Sequence, residues 1–110
     1  MYTYRAKITD VYDGDTVTAV VDLGFRIQFE IKVRLSGIDT PEIRGEERLE
    51  GLISKKRVVD LILQKDVILK TQRDKTEKYG RWLGEIFLPG EEISINQLLL
   101  NEGLAKPFKG

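Results

Sequence analysis

Cysteine and histidine are both missing from this 110-residue chain. Without cysteine there is no disulfide, no thiolate nucleophile and no thiolate metal site. Without histidine there is no imidazole base and no zinc centre of the usual histidine type. An enzyme built on this chain must move protons through carboxylates, lysine, tyrosine or water on a metal. It must hold any metal with oxygen atoms, which favours a hard cation such as calcium or magnesium. Long apolar runs are missing as well: none approaches the roughly eighteen residues of a membrane helix, so no membrane association is expected. The opening MYTYRAKITD lacks the apolar segment of a secretory signal, and with Met1 as the native start the expected location is cytoplasmic. A net charge of either sign is absent too. Eighteen basic residues balance eighteen acidic ones and the pI is about 6.3, which argues against a protein that clings to nucleic acid through bulk charge.

What is present describes a folded chain of one domain, residues 1–110. Hydrophobic residues make up 41% and charged residues 33%, a balance that supports a core and a solvated surface. The charges are not evenly spread. From Asp39 to Glu50 there are five acids and two arginines, and from Lys70 to Arg81 five basic residues and two acids. With Asp10, Asp13 and Asp15 added to the first group, such separation suits a site that holds a cation beside a phosphate.

Residues 5–12 and 16–22 read as strands joined at Asp13-Gly14-Asp15, since Asp-Gly between β-branched runs is a strong hairpin signal. Phe25, Ile27, Phe29, Ile31, Val33 and Leu35 then alternate with polar residues, which predicts a long strand with the first set on the core and Arg34 on the other side. Residues 46–64 read as a helix with Leu49, Leu52, Ile53, Val59, Ile62 and Leu63 on its apolar face. Gly51 inside it weakens the helix by roughly 1 kcal/mol relative to alanine, which points to close packing there. Residues 67–73 and 82–88 are two more strands, Pro89-Gly90 fits a type II turn, and Ser94 with Gln97 makes a capping box for a short helix. Gly103 is the expected residue just past that helix. The order predicts a mainly β, α+β fold: a five-stranded OB-fold barrel with one long and one short helix packed outside.

Three segments can carry chemistry: YDGDT at 12–16, VRLSGIDTPE at 33–42 and EKYGRWLG at 77–84. Each alone has an ordinary explanation as a turn or a solvated strand edge. Together they resemble the staphylococcal nuclease family of thermonuclease-like domains. That family combines an aspartate in a D-G-D-T turn, an arginine five residues before D-T-P-E, and a later K-Y-G-R. This chain has Asp15, Arg34, Asp39-Thr40-Pro41-Glu42 and Lys78-Tyr79-Gly80-Arg81 in that order, and NEGLAKP at 101–107 is similar to the family's exit from its closing helix. The match runs from about Ile8 to Pro107.

The spacing also makes chemical sense. Hydrolysis of a phosphodiester anion requires charge neutralisation and an oriented water. Asp15 and Asp39 are candidates to share one cation, with the Thr40 carbonyl as a further ligand and waters completing the shell. The residues alone permit calcium or magnesium; the resemblance implies calcium. Glu42 is the candidate base for the attacking water. Arg34 and Arg81 have planar forks that suit a phosphate and its five-coordinate transition state, and the family's arginines act at these positions. Lys78 and Tyr79 match the family's contacts to a terminal phosphate of bound nucleotide. Thr16 either orients Asp15 or simply begins the next strand, and Trp82 serves as a core anchor or a stacking surface. The resemblance implies cleavage of single-stranded DNA and RNA with little sequence preference, leaving 3′-phosphate ends. A non-catalytic nucleic-acid- or protein-binding module on the same barrel is the alternative, and no protein partner is otherwise expected.

Overall fold

The computed structural model describes residues 2–76 and 79–108, with only the backbone of residues 73–76. Strand β1 (Tyr2–Asp13) and strand β2 (Thr16–Asp22) form the antiparallel hairpin that Asp-Gly demands. Register shifts at Ile8/Asp10 and Val11/Asp13 bend β1, the kind of irregularity that lets a strand curl around a barrel. Strand β3 (Gln28–Leu35) pairs antiparallel with β2. A two-residue strand, β4 (Ile38–Asp39), and a 3-10 turn (Gly45–Glu47) lead into helix α1 (Arg48–Ile62). Strands β5 (Asp66–Thr76) and β6 (Trp82–Phe87), the short helix α2 (Ile95–Asn101) and the two-residue strand β7 (Lys106–Pro107) complete the chain.

The five long strands close in the order β1-β2-β3-β6-β5, and only the β3–β6 pairing is parallel. With the two helices this is the OB-type α+β barrel expected. Its interior is filled from every wall by Ile8, Val17, Ala19, Val33, Leu35, Leu69 and Ile86, and Val58, Ile62 and Leu99 bring the helices onto the same core. No helix among the described residues is long and apolar enough to cross a membrane.

Local signals hold closely. Ser94 accepts a hydrogen bond from the Gln97 N–H at 3.0 Å and caps α2. Gly103 has φ +73°, as a residue just past a helix requires, and the Leu104 N–H returns to the Leu99 carbonyl at 2.9 Å. Gly90 has φ +81° in the turn closed by Glu91 N–H to Leu88 O at 3.1 Å.

Two expectations fail for identifiable reasons. The alternation from Phe25 does not mark core from its first residue: Phe25 is 96% exposed, and Ile27 and Phe29 are also exposed. Gly24, Phe25 and Arg26 all have positive φ and form the turn between β2 and β3. Strand β6 pairs only with Val33–Leu35, so the outer part of the β2–β3 ribbon extends past the parallel neighbour and has little core to cover. In α1 the expected face holds only in its second half: Ile62 is buried and Val59 and Leu63 pack against the core, but Leu49, Leu52 and Ile53 are exposed, and Gly51, Ser54 and Val58 are buried instead. The first half of the helix docks through small residues because it approaches the chain so closely. A Cβ at Gly51 would stand 2.1 Å from the Glu42 carbonyl oxygen, and the Ser54 hydroxyl donates to the Leu104 carbonyl at 2.7 Å.

Candidate functional site

The hairpin turn between β1 and β2 is folded by its own carboxylate. The Asp15 N–H donates to Asp13 Oδ1 at 3.1 Å, a local bond that explains why Asp is favoured in such turns. Gly14 allows the turn to lie against the chain beyond β4, since a Cβ there would meet Thr40 Cγ2 at 2.8 Å and Ser54 Cβ at 3.0 Å. The contact is sealed by polar bonds. Asp15 Oδ2 accepts from the Thr40 N–H at 3.0 Å, and the Asp15 carbonyl accepts from the Leu35 N–H at 2.8 Å. Asp13, Asp15, Thr16 and Thr40 are all buried, an uncommon concentration of polar groups that each need a partner.

Arg34 supplies that partner. It stands opposite Thr16 in the β2–β3 register, with the core-filling Val33 and Leu35 on either side. One guanidinium nitrogen lies 3.2 Å from Asp15 Oδ2 and donates to the Leu35 carbonyl at 3.1 Å; the other reaches Asp39 Oδ1 at 3.5 Å. The Arg34 side chain is only 12% exposed, so this is a sheltered link between two acids rather than a surface pair. Asp15 and Asp39 therefore flank one guanidinium.

Arg81 reaches the cluster from the segment before β6. Its guanidinium donates to Thr16 Oγ1 at 3.2 Å, and the Thr16 hydroxyl donates to Asp15 Oδ1 at 3.2 Å. Thr16 thus begins β2 and also orients Asp15. The Tyr79 ring, 70% exposed, lies 5.3 Å from the Arg81 guanidinium carbon. Lys78 lies outside the described residues. Trp82 is half-buried and lines a cleft with Tyr2, Tyr4, Phe29 and Ile31, none of them an acid of the site.

Glu42 is exposed at the start of the link into α1. Its N–H is held by Glu47 Oε1 at 3.4 Å, and its carbonyl rests on Gly51. The Glu42 carboxylate is close enough to the turn to act electrostatically on Asp13. Burial, then hydrogen bonding and repulsion from Asp15, push the Asp13 carboxyl up from 3.8 to about 7. Asp13 was legible as a hairpin-turn residue and as part of an acidic group, not as a member of the site. Asn96 carried no signal at all. Its buried amide accepts from Ile86 N–H at 3.2 Å and donates to the Ser36 and Gly84 carbonyls at 2.9 and 3.1 Å. It ties α2 to β6 and to the turn that delivers Asp39.

Among the described residues no three acids converge closely enough to form a metal cage. What the structure brings together is two carboxylates, Asp15 and Asp39, on either side of the Arg34 guanidinium, and Thr40, whose N–H binds Asp15 and whose buried hydroxyl has no hydrogen-bond partner. Two carboxylates and an unsatisfied buried oxygen fit a hard cation that keeps several waters.

A family model described as staphylococcal nuclease homologue matches residues 32–109. An uncharacterized protein of Methanocaldococcus jannaschii, MJ1439, is 28% identical over 128 residues, covering 96% of this chain. The chain spans about 59% of that protein's length. With more than half its residues matched, including Arg34, Asp39-Thr40-Pro41-Glu42 and Lys78-Tyr79-Gly80-Arg81, this chain belongs to the staphylococcal nuclease homologue family.

Proposed function

We propose that this protein is a calcium-dependent phosphodiesterase that hydrolyses single-stranded DNA and RNA with little sequence preference and leaves 3′-phosphate ends. The observation that carries the reading is the approach of Arg34 to Asp15 and Asp39, with Arg81 joined to Asp15 through Thr16. Two acids and two guanidiniums on one edge of a barrel are what a phosphodiester needs: a seat for a cation and planar donors for phosphate oxygens. OB barrels also serve widely as single-strand platforms.

In this reading Asp15, Asp39 and Thr40 hold calcium, which when bound neutralises phosphate charge and orients water as a Lewis acid. Glu42 accepts a proton from the attacking water. The resulting oxygen nucleophile forms a bond to phosphorus while the bond to the 5′ oxygen breaks. That oxygen leaves with the electron pair and is protonated by solvent. Arg34 and Arg81 face the phosphate oxygens and stabilise the charge that gathers on them in the five-coordinate state. Lys78 and Tyr79 hold a neighbouring phosphate. The burial of the Asp15 and Arg34 side chains strengthens these interactions relative to water.

The test is incubation of denatured DNA and RNA with the protein, in calcium or in excess chelator. Calcium-dependent degradation with 3′-phosphate products is expected. Binding without cleavage in both conditions would overturn the catalytic reading and favour the non-catalytic module.

A further inference from the structure

We propose that Phe108 is a positioning residue for Arg34: its ring lies against the guanidinium and keeps that group aimed at the phosphate seat. The functional consequence rests on the cleavage reading above; the positioning itself is measurable without it. A guanidinium has donor edges and two flat faces. In Arg34 the edges are committed to the Leu35 carbonyl, Asp15 and Asp39. The Phe108 ring lies with its centroid 5.5 Å from the guanidinium carbon, within the range of a cation–π contact. In the metal-free protein the edge bonds hold the group against the two acids; the ring, on a flat face, limits tilting of its plane and does not compete with a phosphate for the donor edges.

The ring is itself fixed by backbone. The Phe108 N–H donates to the Gly37 carbonyl at 3.0 Å, extending the short ladder in which Ile38 faces Pro107 and Asp39 faces Lys106. One small sheet therefore locates both the Asp39 acid and the cover over Arg34. Burial in the core does not account for this placement, because Phe108 is 47% exposed. Instead it borders a cavity of about 200 Å³ shared with Arg34, Gln72 and Leu83. An aromatic ring left half in water and set against a cation is better explained by the cation than by packing.

The experiment compares Phe108→Leu and Phe108→Trp with wild type on a single-stranded oligonucleotide in calcium. Leucine keeps apolar bulk and removes the π face; tryptophan restores it. Phe108→Leu should melt close to wild type and lose on the order of tenfold in kcat, with KM changed less than about twofold, because the contact acts on a group engaged in the transition state. Phe108→Trp should recover wild-type kcat. In parallel, the Arg34 Nε–H resonance, assigned by its loss in Arg34→Lys, should move in Phe108→Leu through loss of the ring current and exchange faster with water. A wild-type kcat in Phe108→Leu, or equal damage in the leucine and tryptophan variants, would overturn the proposal while leaving nuclease activity intact. Should wild type fail to cleave, the nuclease reading falls, and the resonance alone decides: an unmoved Nε–H signal in Phe108→Leu overturns the positioning role.

Discussion

Gly51→Ala sets two effects of opposite sign against each other. Alanine in a helix interior is better than glycine by about 1 kcal/mol, so propensity alone predicts a more stable protein. The structure predicts the reverse. The added Cβ would lie 2.1 Å from the Glu42 carbonyl oxygen, 2.5 Å from its carbon and 2.8 Å from the Pro41 oxygen. All three are backbone atoms, so no rotamer change relieves the contact. To regain ordinary contact at 3.4 Å, α1 and the Pro41–Glu42 segment must separate by about 1.3 Å. Overpacking of this kind costs typically 1–3 kcal/mol, and it would also loosen Ser54 from the Leu104 carbonyl and Thr40 from Gly14. The net expectation is a loss of up to about 2 kcal/mol.

The same displacement reaches the proposed base. A misplacement of about 1 Å can lower a rate on the order of a hundredfold, and Glu42 is the residue that moves. Urea denaturation monitored by Trp82 fluorescence gives the stability, and calcium-dependent cleavage of denatured DNA gives the rate. A Gly51→Ala variant about 1 kcal/mol more stable than wild type, with its cleavage rate unchanged, would refute the close-packing argument outright.

Arg34→Ala should lower cleavage on the order of a hundredfold or more and also destabilise the metal-free protein by roughly 3 kcal/mol, since the buried Asp15 loses its charged partner; steady-state kinetics and denaturant melts read the two losses separately. Asp15→Ala should weaken calcium binding more than it weakens folding, and isothermal titration showing unchanged calcium affinity would count against Asp15 as a ligand. Asp13 gives a pH signature in metal-free protein. Its folded pKa, about 7, lies above the ordinary 3.8, so the stability that the protonated carboxyl contributes is complete below about pH 4 and disappears as pH rises through 7. Asp15 and Glu42 are the charges that face it. Asp13→Asn keeps an acceptor for the Asp15 N–H and cannot ionise, so its stability should fall less than wild type's between pH 4.5 and 8; parallel curves would refute the assignment.

The parts of the fold written in local chemistry were legible before any coordinates. Asp13-Gly14-Asp15, Pro89-Gly90, Ser94 with Gln97, and Gly103 each impose a backbone geometry within a few residues, and each adopts it. The buried face of α1 was legible only in part: Ile62 and the close approach at Gly51 were read correctly, but apolar periodicity selects large residues while the first half of this contact selects small ones. Leu49 and Ile53 look like core by type, yet Gly51 and Ser54 are what the neighbouring backbone can tolerate. The end of the Phe25–Leu35 alternation was misread for a related reason. A period of two shows which residues share a face, but not where the barrel wall on that face stops. In the candidate site, the sequence motifs pick out Asp15, Arg34, Asp39 and Arg81. Thr16 was open to two readings, orienting Asp15 or beginning β2, and it does both, but its bond to Arg81 was not foreseen; Asn96 beneath the turn gave no signal, since a single amide has no pattern to betray it.

Charge counting connects the site's stability to its proposed use. Asp15, Asp39, Arg34 and Arg81 sum to zero, which suits a metal-free protein: buried Asp15 is tolerated because Arg34 lies 3.2 Å away, and with the nearby Glu42 carboxylate counted the site exerts no net pull on a phosphate. A divalent cation seated on the two acids gives the same four residues a surplus of two positive charges. Arg34 then no longer has to neutralise Asp15 and Asp39, and its donor edges can turn to an incoming anion without leaving a buried charge unpaired. On this reasoning the cation creates the phosphate site as well as the reactive one. Under the proposed function, a chain of zero net charge would then act on a polyanion through an attraction assembled locally, on one barrel edge, and only with the cation bound.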